Sequence, residues 1–325
     1  MDDWLQAHLA CPRDHLKLQM SGDTLTCPAG HTYPCVDDIP VMLLSEIPPT
    51  HNVFGETLEQ VAGGRPWSQQ ADMSCSQSTV DPYVQQIIVG TCGNLYWPLL
   101  NRLPRYPIPN LRLPPASREH FLEVGCNWGR WCISAAQKGY HPVGIDPSLE
   151  AVAAARRVAR QLGVRATYLV ADARYLPFAP GSFDVVFSYS VLQHLDKNDV
   201  RLCLAEIAQV LKPAGTCLVQ MPNAFGLRNL YLQLRNGLKE PGFFCVRYWR
   251  PSELRHTFSG YVGPTSLSVD GYFSLNAQTS DKDLLPRKFR LVVACSDVLR
   301  RLSQRIPGLL YLADSLYVHS IREPK

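Results

Sequence analysis

The chain has 325 residues, of which 46% are hydrophobic and 18% charged, so its composition excludes global disorder. The formal net charge of +4 is too small to indicate a nucleic-acid partner by itself. The sequence contains no run of about 18 apolar residues, so it predicts no membrane span. The acidic start MDDWLQ lacks the basic region that is typical of a secretory signal. The 11 cysteines are odd in number and scattered, which is not typical of a disulfide framework. We therefore expect a reduced, cytoplasmic protein.

The first 44 residues carry two nearly repeated Cys/His pairs, Cys11 with His15 and Cys27 with His31. Two thiols and two imidazoles are typical ligands of a closed tetrahedral zinc site. A unit this short buries little apolar surface, so it needs such a staple. Two alternatives stay open: a metal-free unit of short strands, and Asp14 in place of His15 as the fourth ligand.

This segment resembles the small zinc-binding activators that partner tRNA and protein methyltransferases. The resemblance rests on LACP at 9–12, the second Cys/His pair and YPCVDDIPVML at 33–43, and it departs from the family pattern at the first pair. It implies a small β domain with a structural zinc ion whose four ligand positions are filled by the protein.

Residues 45–117 separate this unit from the rest of the chain. The stretch 45–81 is rich in Ser, Gln, Gly and Pro and is typical of a linker, and a helical pattern follows around Tyr83 and Ile87. Six prolines between 98 and 115 exclude a long helix or a central strand there. This proline-rich arm is a candidate to fold over a binding site.

From residue 118 to 325 the pattern alternates between apolar strands and amphipathic helices. The predicted strands are 121–125, 141–146, 166–172, 183–190, 216–222, 265–273 and 315–322, and the predicted helices are 131–138, 149–162 and 196–211. Strands separated by helices favour right-handed crossovers, and hence an α/β fold with a mostly parallel seven-stranded sheet.

Acidic residues and a glycine-rich turn fall at the ends of the first three of these strands. Gly125 and Gly129 flank a turn after Glu123, where backbone can approach a ligand closely at a helix N-terminus. Asp146 ends the next strand, where a carboxylate can accept hydrogen bonds from ribose hydroxyls, and Asp172 ends the third, placed to accept from an adenine amine. Each acid alone can be a helix N-cap, but their convergence predicts one nucleoside-binding crevice.

These residues resemble the class I S-adenosylmethionine-dependent methyltransferases, specifically the type 11 group. The matching segments are EVGCNWG at 123–129, VGIDPS at 143–148, ADARYLPF at 171–178, FDVV at 183–186, VLQHL at 191–195 and LKPAG at 211–215. The resemblance implies a Rossmann-like fold that binds S-adenosylmethionine, with donor-binding residues at Glu123, Gly125, Cys126, Asn127, Gly129, Asp146, Asp172, Ala173 and Ser188. Asn127 occupies the position of the family's middle glycine, and asparagine tolerates the left-handed backbone conformation that this position requires. The glycine-rich turn could alternatively belong to a dinucleotide-dependent oxidoreductase. The third glycine that such a turn carries at the expected spacing is missing from this sequence.

The candidate catalytic residues, Tyr189 and His194, follow the fourth strand, in the loop that faces the donor methyl in this family. An imidazole can remove a proton from an attacking hydroxyl. Equally, His194 can cap the next helix, Tyr189 can form a wall, and methyl transfer can proceed by alignment alone.

Substrate choice is expected to come from basic, aromatic insertions at about 224–260 and 274–310. Residues 224–260 hold six basic and two acidic side chains, so they fit an anionic substrate or a membrane surface. We favour a small or lipid-linked substrate. The alternatives are tRNA or rRNA bound through the zinc domain, and a non-catalytic scaffold that binds a partner. The acceptor atom, the pathway and the oligomeric state are not determined by the sequence.

Overall fold

The computed structural model describes residues 3–63, 80–239, 242, 245–273 and 278–323. The N-terminal unit begins with helix α1 (Asp3–His8), and four short antiparallel strands follow in the order β1-β2-β3-β4. Their bounds are β1 Gln19–Ser21, β2 Thr24–Thr26, β3 Thr32–Val36 and β4 Ile39–Pro40. The expected small N-terminal β unit is therefore confirmed.

The segment interpreted as a linker contains a helix, so that interpretation is wrong for part of it. Helix α2 (Asn52–Ala62) buries Phe54 and Thr57, and the Thr57 hydroxyl donates to Pro147 O at 2.9 Å. The helix forms because these side chains share one face that packs on the main domain. Residues 64–79 of the proposed linker lie outside the described part of the chain.

Helix α3 (Pro82–Cys92) and the 3-10 turn Asn94–Leu99 follow, and the proline-rich arm comes next. The arm packs along a helix of the main domain, since Ser134 Oγ donates to Pro109 O at 2.6 Å and accepts from Leu111 N at 3.1 Å.

The main domain is built on a seven-stranded sheet with the order β10-β11-β9-β8-β5-β6-β7. Its strands are β5 His120–Val124, β6 His141–Asp146, β7 Thr167–Val170, β8 Phe183–Ser188, β9 Leu211–Pro222, β10 Thr265–Gly271 and β11 Ser315–Ile321. Strand β11 is antiparallel to both of its neighbours, and the other pairs are parallel. The expected α/β fold with a mostly parallel sheet is confirmed.

The helices of the main domain pack against this sheet. They are α4 Arg130–Gln137, α5 Leu149–Gln161, α6 Lys197–Val210, α7 Leu227–Arg235, α8 Pro251–Tyr261 and α9 Arg287–Ser303. Side-chain caps fix where helices begin: Ser148 Oγ accepts from Ala151 N, and Asp196 accepts from Asn198 N and Asp199 N. Within the described residues, no helix combines the length and the apolar character needed to cross a bilayer.

The N-terminal unit continues the main sheet and shares its core. Val41 pairs in parallel with Val170 on the edge strand β7, and Met42 N donates to Val170 O at 2.8 Å. Leu9 forms a bridge with Phe178, and both belong to the cluster of buried side chains that runs through the main domain. The unit therefore covers one open edge of the sheet and is expected to unfold together with it.

The Met42→Ala substitution tests this shared core. Met42 is fully buried, so the substitution is expected to lower the free energy of unfolding by about 2–5 kcal/mol. Denaturant unfolding should show one transition for both units. The matched control is Met20→Ala, because Met20 is 37% exposed and its loss should change little. Two separate transitions, with only one shifted by Met42→Ala, would contradict the shared core.

Candidate functional site

The predicted donor residues lie at the carboxyl edge of the parallel strands. Gly125 follows β5 with φ +77°, and a Cβ atom there would approach Val191 Cγ2 to 2.3 Å. Gly129 has φ +78°, and its Cβ would lie 2.5 Å from the Tyr168 hydroxyl. Both positions therefore require glycine, for space as well as for backbone conformation.

Asp146 holds the turn between these glycines. Asn127 has φ +45°, as its tolerance for left-handed backbone allows, and its N–H donates to Asp146 Oδ2 at 2.9 Å. Ser148 N donates to Asp146 Oδ1 at 3.0 Å. Burial raises the pKa of Asp146 to about 6, so the carboxylate is mainly ionised at neutral pH.

Helix α3 brings a residue to this carboxylate that the sequence interpretation missed. The Tyr83 hydroxyl lies near the side chains of Asn127 and Ser148, and burial and the nearby Asp146 charge raise its pKa. Asp81, which caps α3, is anchored to α5 by Arg157 at 2.7 Å. Tyr83 is therefore a wall of the crevice around Asp146. Nothing in the local pattern marked it, because its role depends on where α3 docks.

Three assigned donor residues point into the protein interior. Glu123 accepts from Cys132 N at 2.7 Å beneath α4, and burial raises its pKa to about 8. Cys126 is buried in the core, and the Ser188 hydroxyl, fully buried, donates to Val124 O at 2.9 Å. The Ser188 hydroxyl joins two strands and the Cys126 thiol packs in the core, so neither side chain faces the crevice in this structure, and their part in donor binding stays a prediction. Glu123 fixes the strand-to-helix turn.

Asp172 and Ala173 reach the same edge, but the Asp172 carboxylate has a partner there. Arg174 Nη2 donates to Asp172 Oδ2 at 2.7 Å and to Pro48 O at 2.8 Å, and the guanidinium also pairs with Asp199. Arg174 thus joins the donor crevice to the N-terminal segment. The sequence showed no signal for it, because Pro48 is distant along the chain.

The two predicted catalytic residues, Tyr189 and His194, lie in different surroundings in the loop after β8. Tyr189 is 8% exposed, its hydroxyl donates to Asp270 Oδ2 at 2.9 Å, and burial raises its pKa well above the usual value. Its hydroxyl is thus held by Asp270, and Tyr189 is not among the residues that line the adjacent cavity. Ser190 and His194 instead line that cavity, and Gln193 Nε2 donates to Ser190 Oγ at 2.8 Å and contacts His194 Nε2 at 3.2 Å.

This cavity has a volume of about 380 Å³ and lies at the ends of β8 and β9. Its polar lining includes Asn94, Ser190, Gln193, His194, Gln220, Arg228, Asn229, Asp314 and Ser315, and its apolar lining includes Val89, Leu95, Leu232 and Val246. Such a mixture and volume are typical of a small-molecule site.

Gln220 is one of the residues that line the cavity, and its side-chain amide is held in one orientation. Its Nε2 donates to Ser315 Oγ at 2.8 Å, and the Ser315 hydroxyl donates to Asp270 at 2.7 Å, which fixes the orientation of the amide. The Oε1 atom is buried and finds no donor among the residues that the structure describes. A ligand that carries an O–H or N–H group would satisfy it.

Three residues of the N-terminal Cys/His pairs form a compact cluster with Asp14, and His15 lies outside it. Cys11, Asp14, Cys27 and His31 place their ligand atoms within 4.8 Å of one another. His31 Nδ1 lies 3.0 Å from Asp14 Oδ2, 3.4 Å from Cys27 Sγ and 3.5 Å from Cys11 Sγ. His15 is not in the cluster, because its left-handed backbone (φ +56°) turns the imidazole toward Glu206, at 3.7 Å. Asp14 replaces it.

Comparison with known proteins agrees with this site. A family profile described as a methyltransferase domain matches residues 121–215. The O-methyltransferase ResE of Aspergillus sclerotiorum is 36% identical over 182 residues, which cover 49% of this chain and 68% of that protein. This chain belongs to the S-adenosylmethionine-dependent methyltransferase family.

Other similarities to methyltransferases cover less of the proteins concerned or are more distant. A ubiquinone biosynthesis O-methyltransferase of Sinorhizobium medicae is 33% identical over 119 residues, which span 37% of this chain and only 44% of that protein. The structure of an S-adenosylmethionine-dependent methyltransferase from Methanosarcina mazei is 17% identical and covers 66% of this chain and 100% of that chain, with a TM-score of 0.46.

The pH dependence of donor affinity tests the position of Asp146. As the pH falls through about 6, this carboxylate is protonated and becomes a weaker acceptor, so the Kd for S-adenosylmethionine should rise. Asp146→Asn should weaken binding about 10-fold to 100-fold at neutral pH, which is the value of a hydrogen bond to a charged group, and flatten the pH profile. Calorimetric titration from pH 5 to 8, at pH values where thermal melting shows a folded chain, measures both effects. An affinity of the parent that is independent of pH would contradict the assignment.

Proposed function

We propose that the chain transfers the methyl group of S-adenosylmethionine to a hydroxyl oxygen of a small or lipid-linked molecule bound in the cavity. The observation that carries this proposal is the arrangement along one sheet edge. Asp146 and Gly125 lie at the ends of β6 and β5, and the cavity lies at the ends of the adjacent β8 and β9. Ligands of open α/β sheets bind at this edge.

The residues present fit the donor. The Cβ-free turn at Gly125 and Gly129 leaves room for close backbone approach, and the Asp146 carboxylate is positioned to accept from ribose hydroxyls. Ala173, beside the Asp172–Arg174 pair, would contact the adenine through its backbone. Bound there, the donor supplies an electrophilic methyl group on a sulfonium centre.

The loop from Ser190 to His194 would align the acceptor with the donor site. Val191 packs directly against the Gly125 turn, whereas Ser190 and His194 face the cavity. Arg247 holds this loop through a 2.7 Å hydrogen bond to His194 O. Alignment of this kind accounts for a large part of the rate of group transfer.

His194 is the candidate general base. Gln193 Nε2 lies 3.2 Å from His194 Nε2, and in the neutral tautomer that carries its proton on Nδ1 the ring lone pair is on Nε2. An acceptor hydroxyl that displaces this 3.2 Å contact would donate to the same lone pair, while Gln220 Oε1 accepts from a second polar group of the molecule. The named similarities to O-methyltransferases support oxygen as the acceptor atom.

The His194→Asn variant tests the base. Asparagine keeps a polar side chain but cannot take up the proton, so kcat should fall about 10²-fold to 10⁴-fold, with little change in the Kd for S-adenosylmethionine. The slope of log kcat against pH at low pH should also disappear. A kcat within twofold of the parent would show that alignment alone suffices.

The acceptor class is tested with methyl-labelled donor and a cell extract that is separated into RNA, protein, lipid and small molecules. Label in the lipid or small-molecule fraction supports the proposal. Label in RNA alone would overturn it in favour of an RNA methyltransferase. A variant with Gln220→Leu should show reduced labelling of the same fraction, because the buried acceptor is removed.

We also propose that Cys11, Asp14, Cys27 and His31 hold a structural zinc ion. Ligands about 2.0–2.3 Å from a tetrahedral zinc ion are about 3.3–3.8 Å apart. Four of the six separations in the cluster are 3.0–3.5 Å, close to this range, and all six are within 4.8 Å. Four protein ligands leave no open position, so the ion would stabilise the N-terminal unit without taking part in catalysis.

The zinc content of two variants, Asp14→Ala and His15→Ala, shows which of these neighbouring residues is a ligand. Asp14→Ala should lower the zinc-to-protein ratio measured by mass spectrometry and lower the melting temperature, because a ligand is lost. His15→Ala is the matched control and should keep the parent's zinc content. The reverse result would restore His15 as the ligand, and an absence of zinc in the parent purified with added zinc would contradict the metal site.

A further inference from the structure

Helix α7 (Leu227–Arg235) exposes its apolar face and buries its polar face, the reverse of an ordinary surface helix. Leu227, Leu230, Tyr231 and Leu234 recur at i, i+3, i+4 and i+7, which is the spacing of one apolar face. These side chains are between 41% and 60% exposed. Phe225 and Leu238 extend the exposed stripe at its two ends.

The polar face of the same helix is the one that packs on the protein. Asn229 is buried, and its Nδ2 donates to Asn223 O at 3.0 Å and to Asp314 O at 2.7 Å. Gln233 Nε2 donates to Ala224 O at 2.9 Å. These hydrogen bonds fix the rotation of the helix, so its apolar stripe is held outward. Exposure of this apolar surface to water costs free energy unless a partner covers it.

The charges beside the stripe point to the chemistry of what covers it. Arg228 and Arg235 are exposed and seven residues apart, so they share one flank of the helix, and exposed Lys239 follows the end of the helix. Arg228 Nη1 donates to Phe273 O at 3.0 Å, so Arg235 and Lys239 are the basic groups that remain available, and residues 225–239 contain no acidic side chain. An apolar stripe with an aromatic ring, bordered by basic residues, is the pattern of a helix that lies in the plane of a membrane surface.

We propose that this surface, defined by Phe225, Leu227, Leu230, Tyr231, Leu234 and Leu238, docks on an anionic lipid bilayer. The leucines enter the boundary of the acyl chains, and the side chains of Arg235 and Lys239 contact the headgroups. The opposite side of the helix supplies Asn229 and Leu232 to the cavity wall, so docking places the cavity beside the lipid. The docking surface itself does not depend on the proposed methyl transfer.

Co-sedimentation with vesicles tests the proposal, with one set made of phosphatidylcholine and another of equal parts phosphatidylcholine and phosphatidylserine. The parent should bind the anionic vesicles more tightly, and this difference should shrink as salt is added. The double variant Leu230→Ser/Leu234→Ser should lose about tenfold or more in affinity, and Arg235→Gln should lose about fivefold on anionic vesicles alone.

Two controls share the chemistry and lie elsewhere. Leu202→Ser removes a leucine on α6 that is 46% exposed, and Arg160→Gln removes an exposed arginine on α5; both should bind vesicles as the parent does. Unchanged affinity for S-adenosylmethionine would show that each variant is folded.

Sedimentation velocity separates a bilayer from a second copy of the chain. A parent that is monomeric and binds anionic vesicles supports the proposal. A parent dimer that Leu230→Ser/Leu234→Ser dissociates, or a parent that binds neither kind of vesicle, would overturn it. Because vesicle binding is measured without methyl transfer, failure here leaves the enzymatic proposal to its own tests.

Discussion

The whole donor site depends on one buried carboxylate, Asp146. It accepts the N–H groups of Asn127 and Ser148, so it joins the turn after β5 to the turn after β6 and holds Asn127 in left-handed backbone. Thr57 of α2 is bound to the flanks of the same turn, through Pro147 O and Leu149 N. In the proposed function, the carboxylate that builds the crevice is also the group that would receive the donor, and burial raises its pKa without keeping it neutral at physiological pH.

The N-terminal unit is tied to this site as well as to the fold. It extends the sheet beyond β7, and the segment just after it places Pro48 O on Arg174, whose guanidinium also holds Asp172. A metal ion bound by Cys11, Asp14, Cys27 and His31 would thus act at a distance, because it orders the segment that steadies the adenine side of the crevice.

The sequence predicted the sheet, its mostly parallel order and the crevice at Gly125, Gly129 and Asp146, because these follow from local periodicity and from the ends of strands. It could not predict features set by docking between distant segments. Helix α2 was interpreted as a linker since its buried face is short, and Tyr83, Arg174 and Gln220 gain their roles only from partners far along the chain. His15 is the ligand favoured by residue type, with Asp14 as the open alternative, and in the structure Asp14 lies in the cluster while the backbone of the turn directs His15 away from it.

The central claim is that the crevice around Gly125 and Asp146 binds S-adenosylmethionine, and isothermal titration calorimetry of the parent chain with this donor tests it most directly. The account predicts saturable binding of one donor per chain. It also predicts that binding is lost in Gly125→Val, where a side chain would collide with Val191. A folded parent that shows no binding, or a folded Gly125→Val variant that binds as the parent does, would contradict the account.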